Sequence, residues 1–304
     1  MNKNKHLNLK KKYKKFWQLY LLLLPALIYI IIFDYGPMYG IIIAFKNYKA
    51  NLGYWGSEWV GLKHFKRFLN YPEFWKLIRN TLAISLYSLA TFPIPVIMAL
   101  LINEVKNTYF KKTVQMITYA PHFLSTVVVC GLVKMLVGRE GPLGVLYEFV
   151  TGKNQDLLAV PVFFSSIYVW SGIWQNIGWN TIIYLSALSG VPQELIESAK
   201  IDGATRSQVI RYINVPCILP TIVITFIMST GSILSVGFEK IFLLQIDLNL
   251  EASRVISTYV YDIGLLGGQF SYSTAIGLFN NLVNVAIILL VNKITKKISN
   301  IGLW

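Results

Sequence analysis

The chain has 304 residues, 55% of them hydrophobic and only 14% charged, and its mean hydropathy is +0.53. A water-soluble domain carries roughly a quarter charged residues, which excludes a single soluble core and leaves one continuous all-α domain whose solvent is mostly lipid. The net charge of +14 comes from Lys and Arg in short clusters between apolar runs, a pattern that orients membrane proteins and argues against nucleic acid as a partner.

Residues 1–15 form a basic tail with Lys10-Lys11-Lys12 and Lys14-Lys15. A span needs about 20 mostly apolar residues, and six stretches qualify: 16–45, 77–102, 114–137, 160–188, 218–236 and 272–291. The first follows the basic tail with no small-residue cleavage site, so it reads as an uncleaved signal anchor that is also a span. It is too long for one straight crossing and is expected to bend or leave the bilayer at Asp34-Tyr35-Gly36-Pro37. A kink is expected in the second at Pro93 and Pro95, and the third carries Pro121-His122 internally. With the N-terminus inside, the internal segments hold 16 Lys and Arg against nine in the external ones, which places both termini in the cytoplasm. The external segment 46–72 is rich in aromatics. Within it Leu62, Phe65, Phe68 and Leu69 recur at helical spacing opposite Lys63, Lys66 and Arg67, as in an amphipathic helix at the outer interface.

The chemistry is as informative for what is missing. No G-x-x-x-x-G-K-[ST] phosphate loop occurs, and His6, His64 and His122 are scattered without metal-ligand spacing. Cys130 and Cys217 fall near opposite ends of different spans, so no disulfide is expected. The deep parts of spans two to six hold no Asp or Glu, which speaks against a proton-coupled carrier.

Between spans four and five, over 189–217, lies Glu194-Leu-Ile-Glu197-Ser198-Ala199-Lys200-Ile201-Asp202-Gly203-Ala204-Thr205, continuing to Ile213-Asn214-Val215-Pro216. Pro192 suits the first turn of a helix, Glu194 and Glu197 its N-terminal end, and Gly203 its termination. The spacing resembles the signature of permease subunits of binding-protein-dependent ABC importers: E-A-A, three residues, Gly, nine residues, then I-x-L-P. Here it reads Glu197-Ser198-Ala199, Gly203, Ile213 and Val215-Pro216, with Ser198 and Val215 as mild departures. Trp174-x-x-x-Gly178-Trp179-Asn180, Leu185-x-Ala187-Leu188, Tyr119-Ala-Pro121-His122-Phe123-Leu-Ser125 and Gly277-Leu278-Phe279-Asn280 look like the carbohydrate branch of that family, in its oligosaccharide and multi-sugar subgroup.

The resemblance implies a type I permease fold of six transmembrane helices in a bacterial cytoplasmic membrane, with a cytoplasmic coupling helix. Glu194, Glu197, Ser198, Ala199, Asp202, Gly203 and Ala204 would meet an ATPase subunit. The implied partners are a second homologous permease, ABC ATPase subunits that bind ATP and Mg, and an extracellular solute-binding lipoprotein delivering an oligosaccharide. No cofactor or catalytic role falls on this chain. Polar groups in lipid usually face a cavity or a neighbouring helix. Asn176 and Asn180 share one face of span four beside Trp179, and Asn280 and Asn284 repeat that spacing in span six. With Trp170 and Tyr184 they are candidates for a sugar-lined cavity; the alternative is that the Asn residues hold helices together. Three alternatives stand at this stage: an importer of the same architecture for a peptide or polyamine, an ion-coupled carrier, and a membrane-embedded enzyme.

Overall fold

In a computed structural model, described over residues 16–303, the chain is almost wholly helical. The basic tail 1–15 lies outside the described residues. Helix α1 (Trp17–Phe45) is followed by a two-residue antiparallel pair, β1 (Lys46–Asn47) with β2 (Glu58–Trp59), and by α2 (Lys63–Leu69). Then come α3 (Phe74–Ala90), α4 (Pro93–Glu104), α5 (Thr108–Tyr119), α6 (Thr126–Val137), α7 (Pro142–Thr151) and α8 (Pro161–Ser189). The remainder is α9 (Gln193–Ile201), α10 (Arg206–Thr230), α11 (Phe238–Leu244), α12 (Ile256–Tyr261) and α13 (Phe270–Ser299).

Among the described residues, four helices are long and apolar enough to cross a membrane: α1, the α3–α4 pair, α10 and α13. A fifth span is added if the bent pair at Thr108–Phe123 and Thr126–Thr151 is counted as one. Two of the expected spans are not among these four. The stretch 114–137 is not a straight span, because the chain turns through 104° within it. A 3-10 turn at Ala120–Phe123 contains Pro121, and Ser125 starts the next helix afresh by accepting a hydrogen bond from the Val128 N–H. The stretch 160–188 is a 29-residue helix without a charged residue, yet it is too polar to count among the four.

The prolines and the Asp34–Pro37 interruption are absorbed by changes of helical pitch. Helix α1 stays continuous through Asp34 by passing into a π turn at Ile31–Tyr35, and ends in a 3-10 stretch at Tyr39–Phe45. A turn at Thr91–Phe92 separates α3 from α4 immediately before Pro93, where the ring can no longer donate to the helix ladder. Helix α10 begins twelve residues earlier than the expected span. It runs through a π turn at Ile210–Asn214 before Pro216 and carries Pro220 inside.

Helix α8 is the centre of the bundle, packed along α4, α5, α10 and α3. One half shares a core with α4 and α10 through Tyr184, Leu188, Val96, Ala99 and Ile218. The other half places Phe164 in a core with Val129, Val133, Ile241 and Leu244 of α6 and α11. Against α5 the approach is set by Gly178, where an added Cβ would lie 2.3 Å from the Thr118 carbonyl oxygen. Helix α2 packs on α13. It buries His64 and Phe68 against α13, sets the Arg67 guanidinium 4.1 Å over the Tyr272 ring, and leaves Leu62 and Leu69 exposed.

Backbone cannot yield to a Cβ as a flexible side chain does, so Gly178→Ala is expected to cost about 1–3 kcal/mol. Its melting temperature in detergent should fall clearly below that of Gly277→Ala, where an added Cβ meets nothing within 4 Å.

Candidate functional site

A cavity of about 730 Å³ opens between α8, the α3–α4 turn, the end of α10 and the loop 231–237. That volume falls in the range of about 300–1,000 Å³ occupied by small-molecule sites. Its lining mixes apolar and hydroxyl or amide groups: Ser85, Ser88 and Thr91 on one wall, Gln175, Asn176, Trp179, Asn180 and Tyr184 on α8, and Thr225, Ser229, Ser232 and Ser235 opposite. Amides, hydroxyls and flat aromatic faces complement sugar hydroxyls and the C–H faces of pyranose rings.

Four of the seven cavity candidates line this space, in different roles. Asn180 is exposed and has no hydrogen bond to the protein among the described residues, so both its donors and its acceptor are free. Asn176 is committed: its Oδ1 lies 3.0 Å from His122 Nδ1 and its Nδ2 donates to the Gly172 carbonyl at 3.1 Å. Trp179 remains 48% exposed although His122 stacks on one face of it, centroids 4.4 Å apart and rings 7° from parallel. The Tyr184 hydroxyl is 3.0 Å from Thr225 Oγ1 and ties α8 to α10.

The other three are placed elsewhere. Trp170 donates its indole N–H to the Tyr87 hydroxyl at 2.8 Å, outside the cavity lining. Asn284 is buried; its Oδ1 accepts from the Leu234 N–H at 3.0 Å and its Nδ2 donates to Ser235 Oγ at 2.9 Å. Asn280 reaches the same Ser235 hydroxyl at 3.4 Å. The span-six pair therefore ties α13 to the loop 231–237, whose Ser235 lines the cavity.

Two further groups bear on the site: His122, which lies outside the lining, and Lys240, which is part of it. His122 sits at the α5–α6 bend and braces Trp179. Its signal in the sequence is Pro121-His122 inside the third expected span. Lys240 was counted as an external-loop cation, but α11 folds back against α6 and brings it to the cavity. Lys240 is buried, donates to the Tyr168 carbonyl at 3.0 Å, and lies 5.0 Å from the Tyr168 ring. Helix α11 is outside the apolar spans, and burial pushes the Lys240 ammonium down to about 8.

At the far end of α8 lies the second candidate site, α9. Pro192 is its N-cap rather than part of its first turn, and Glu194 occupies the first turn. The helix ends in a Schellman motif. Gly203 has φ +79°, its N–H bonds the Lys200 carbonyl at 3.1 Å, and the Ala204 N–H bonds the Ala199 carbonyl at 2.8 Å. Thr205 then caps α10 in a reciprocal pair with Gln208. No residue of α9 is buried; Glu194, Glu197, Ser198, Asp202 and Gly203 are exposed, and Ile201 is 86% exposed. Ala199, Asp202, Gly203 and Ala204 line a hollow of about 260 Å³ with Gln208, Val209, Tyr212 and Ile213.

Both sites fall within residues 76–300, which match the family described as the binding-protein-dependent transport system inner membrane component. The chain belongs to this family. It is 43% identical to the polygalacturonan/rhamnogalacturonan transport system permease protein YteP of Bacillus subtilis, over 99% of this chain and 94% of that one. Protein LplB of Bacillus subtilis is 42% identical over 94% and 91%. Among solved structures, a chain of a bacterial alginate ABC transporter, crystallised with an alginate pentasaccharide-bound periplasmic protein, matches with a TM-score of 0.86. The two share 39% identity over 96% of this chain and 99% of that one.

The two kinds of asparagine separate experimentally. Asn284→Ala leaves the buried Leu234 N–H without its partner and should cost about 1–3 kcal/mol, read as a lower melting temperature. Asn180→Ala removes an exposed amide and should leave the melting temperature unchanged while weakening oligosaccharide-dependent transport.

Proposed function

We propose that this chain is one of two transmembrane permease subunits of an ATP-driven importer. It takes an oligosaccharide from an extracellular solute-binding protein and passes it inward by alternating access. The observation that carries the reading is that one family match spans both the polar cavity and the exposed helix α9. A cavity on a single chain has one open side, and a second homologous permease would close it. ATP and Mg are handled by separate ATPase subunits.

The topology proposed is six spans with both termini in the cytoplasm: α1, α3–α4, the bent α5–α6 segment, α8, α10 and α13. Helix α8 joins the set because its polar residues face the cavity and neighbouring helices, the arrangement in which such groups are tolerated in a membrane. In this reading α9 is the coupling helix. Its exposed Ile201 and Leu195 and the small residues around Gly203 allow close seating in a groove of the ATPase, with Glu194, Glu197 and Asp202 at the rim. Closure of the ATPase pair then moves α9 as a rigid body. The uncovered α9 and the absence of Asp and Glu from the cavity lining favour this reading over an ion-coupled carrier.

Purification from native membranes tests it. A second permease and an ATPase should co-purify, and ATP hydrolysis should rise when binding protein and oligosaccharide are supplied. Gly203→Asp breaks a left-handed cap that only Gly adopts without strain, and should abolish both co-purification of the ATPase and sugar-stimulated hydrolysis. Recovery of the chain alone, moving solute in vesicles without ATP, would replace this reading with an ion-coupled carrier.

A further inference from the structure

Among the described residues, Lys240 is the only charged side chain in the cavity lining, and no Asp or Glu lines it. It takes part in none of the ion pairs among the described residues. An ammonium has three donors, and the single hydrogen bond found for it goes to the Tyr168 carbonyl. Buried charges are ordinarily paired, because an unpaired one forfeits its hydration without return. The surroundings hold this cation where it is. Cys130 Sγ lies 4.0 Å from the Lys240 carbonyl oxygen, and the Tyr168 ring faces the ammonium. Where Lys240 meets α8, the helix has Gly172, at which a Cβ would come within 3.3 Å of Nζ. Glycine there lets the ammonium lie against the helix backbone beside Gln175 and Asn176 on the same wall.

We infer that Lys240 is the counter-charge for an acidic substrate, so that the oligosaccharide this cavity takes carries carboxylates, as uronic acid units do, and one of them sits against the Lys240 ammonium. The inference rests on the oligosaccharide reading above and adds its chemical class and a specificity residue. A neutral sugar would satisfy the amides and hydroxyls of the walls but leave the cation unpaired. The names of two similar proteins point the same way, one a polygalacturonan/rhamnogalacturonan permease and the other a transporter for alginate, described as an acidic polysaccharide.

The test uses the assembled importer in nanodiscs without binding protein, so that only the permease cavity selects. Binding of an oligogalacturonate is compared with binding of the same oligosaccharide after its carboxyls have been reduced to primary alcohols. Wild type should prefer the acidic sugar. In Lys240→Gln the acidic-to-reduced affinity ratio should fall about tenfold or more, the worth of one hydrogen bond between charged partners, and Lys240→Arg should restore most of it. Should Lys240→Gln fail to assemble, Gly172→Ala crowds the ammonium and should lower the same ratio. A wild type with equal affinity for the two sugars, or variants with an unchanged ratio, would overturn the inference while leaving the oligosaccharide reading intact. A wild type that binds neither sugar and shows no sugar-stimulated ATP hydrolysis would remove both.

Discussion

Every polar side chain on a membrane helix needs a partner, a cavity or water, because lipid offers none of the hydrogen bonds it gives up. In the six-span reading proposed above, helix α8 is where this constraint acts hardest. It is 29 residues long and uncharged, yet it carries Gln175, Asn176, Asn180, Thr181 and several serines. Each finds a different solution. Thr181 is fully buried and donates to the Ile177 carbonyl at 2.6 Å, with the Pro95 carbonyl of α4 also in reach at 3.3 Å. Gln175 donates to the Leu124 carbonyl at the α5–α6 bend, Asn176 is shared between His122 and Gly172, and Asn180 faces the cavity. The cavity exists because a central helix with this many polar groups cannot be surrounded by lipid.

The bend between α5 and α6 is fitted to the same helix. Gly178 lets the α5 backbone come close enough for His122, one turn beyond Thr118, to lie flat on Trp179 and reach Asn176. Phe123 meets the edge of Trp179 at 6.3 Å. The indole is thereby braced on one side and open on the other. Such preorganisation favours a flat sugar face, since the aromatic surface loses little freedom on binding. The Gly178-Trp179-Asn180 run thus has a separate physical reason at each position: close approach, stacking surface and free amide.

Much of this was legible in the sequence where the signal is local. Apolar length located α1, α3–α4, α10 and α13, and the Pro192–Gly203 punctuation located α9 and its end. The polar face of α8 was visible as Asn176 and Asn180 at a spacing of four. What could not be read depends on tertiary placement. The run 114–137 is apolar enough to look like one span, and it is the packing of the turn Ala120–Phe123 and the Leu124 carbonyl against α8 that shows the chain turning there. Lys240 lies in a short helix that could equally sit in an outer loop, and nothing local records that it folds inward. Asn280 and Asn284 have the same four-residue spacing as Asn176 and Asn180. Spacing says that two side chains share a face without saying what the face meets, and in α13 it meets the loop 231–237.

The placement of α9 gives the two sites a mechanical relation. Helix α9 leads out of α8 and into α10 through short, capped connections, with Gly203 fixing one end and Thr205 starting the next helix. Helices α8 and α10 are also two walls of the cavity, joined across it by Tyr184 and Thr225. If α9 is the coupling helix proposed above, a displacement of it would reach the cavity through two helices rather than through a chain of side-chain contacts. That path includes the π turn at Ile210–Asn214, where the ladder shifts register before Pro216 and Asn214 keeps a buried Oδ1 without a partner among the described residues. π turns are local departures from the helix ladder that often mark functional positions and kinks. Motion entering α10 at its capped start meets this turn before it meets the cavity wall at Thr225 and Ser229, while motion entering α8 arrives undivided. The two walls need not move together, and a difference between them is what opening a cavity on one side requires.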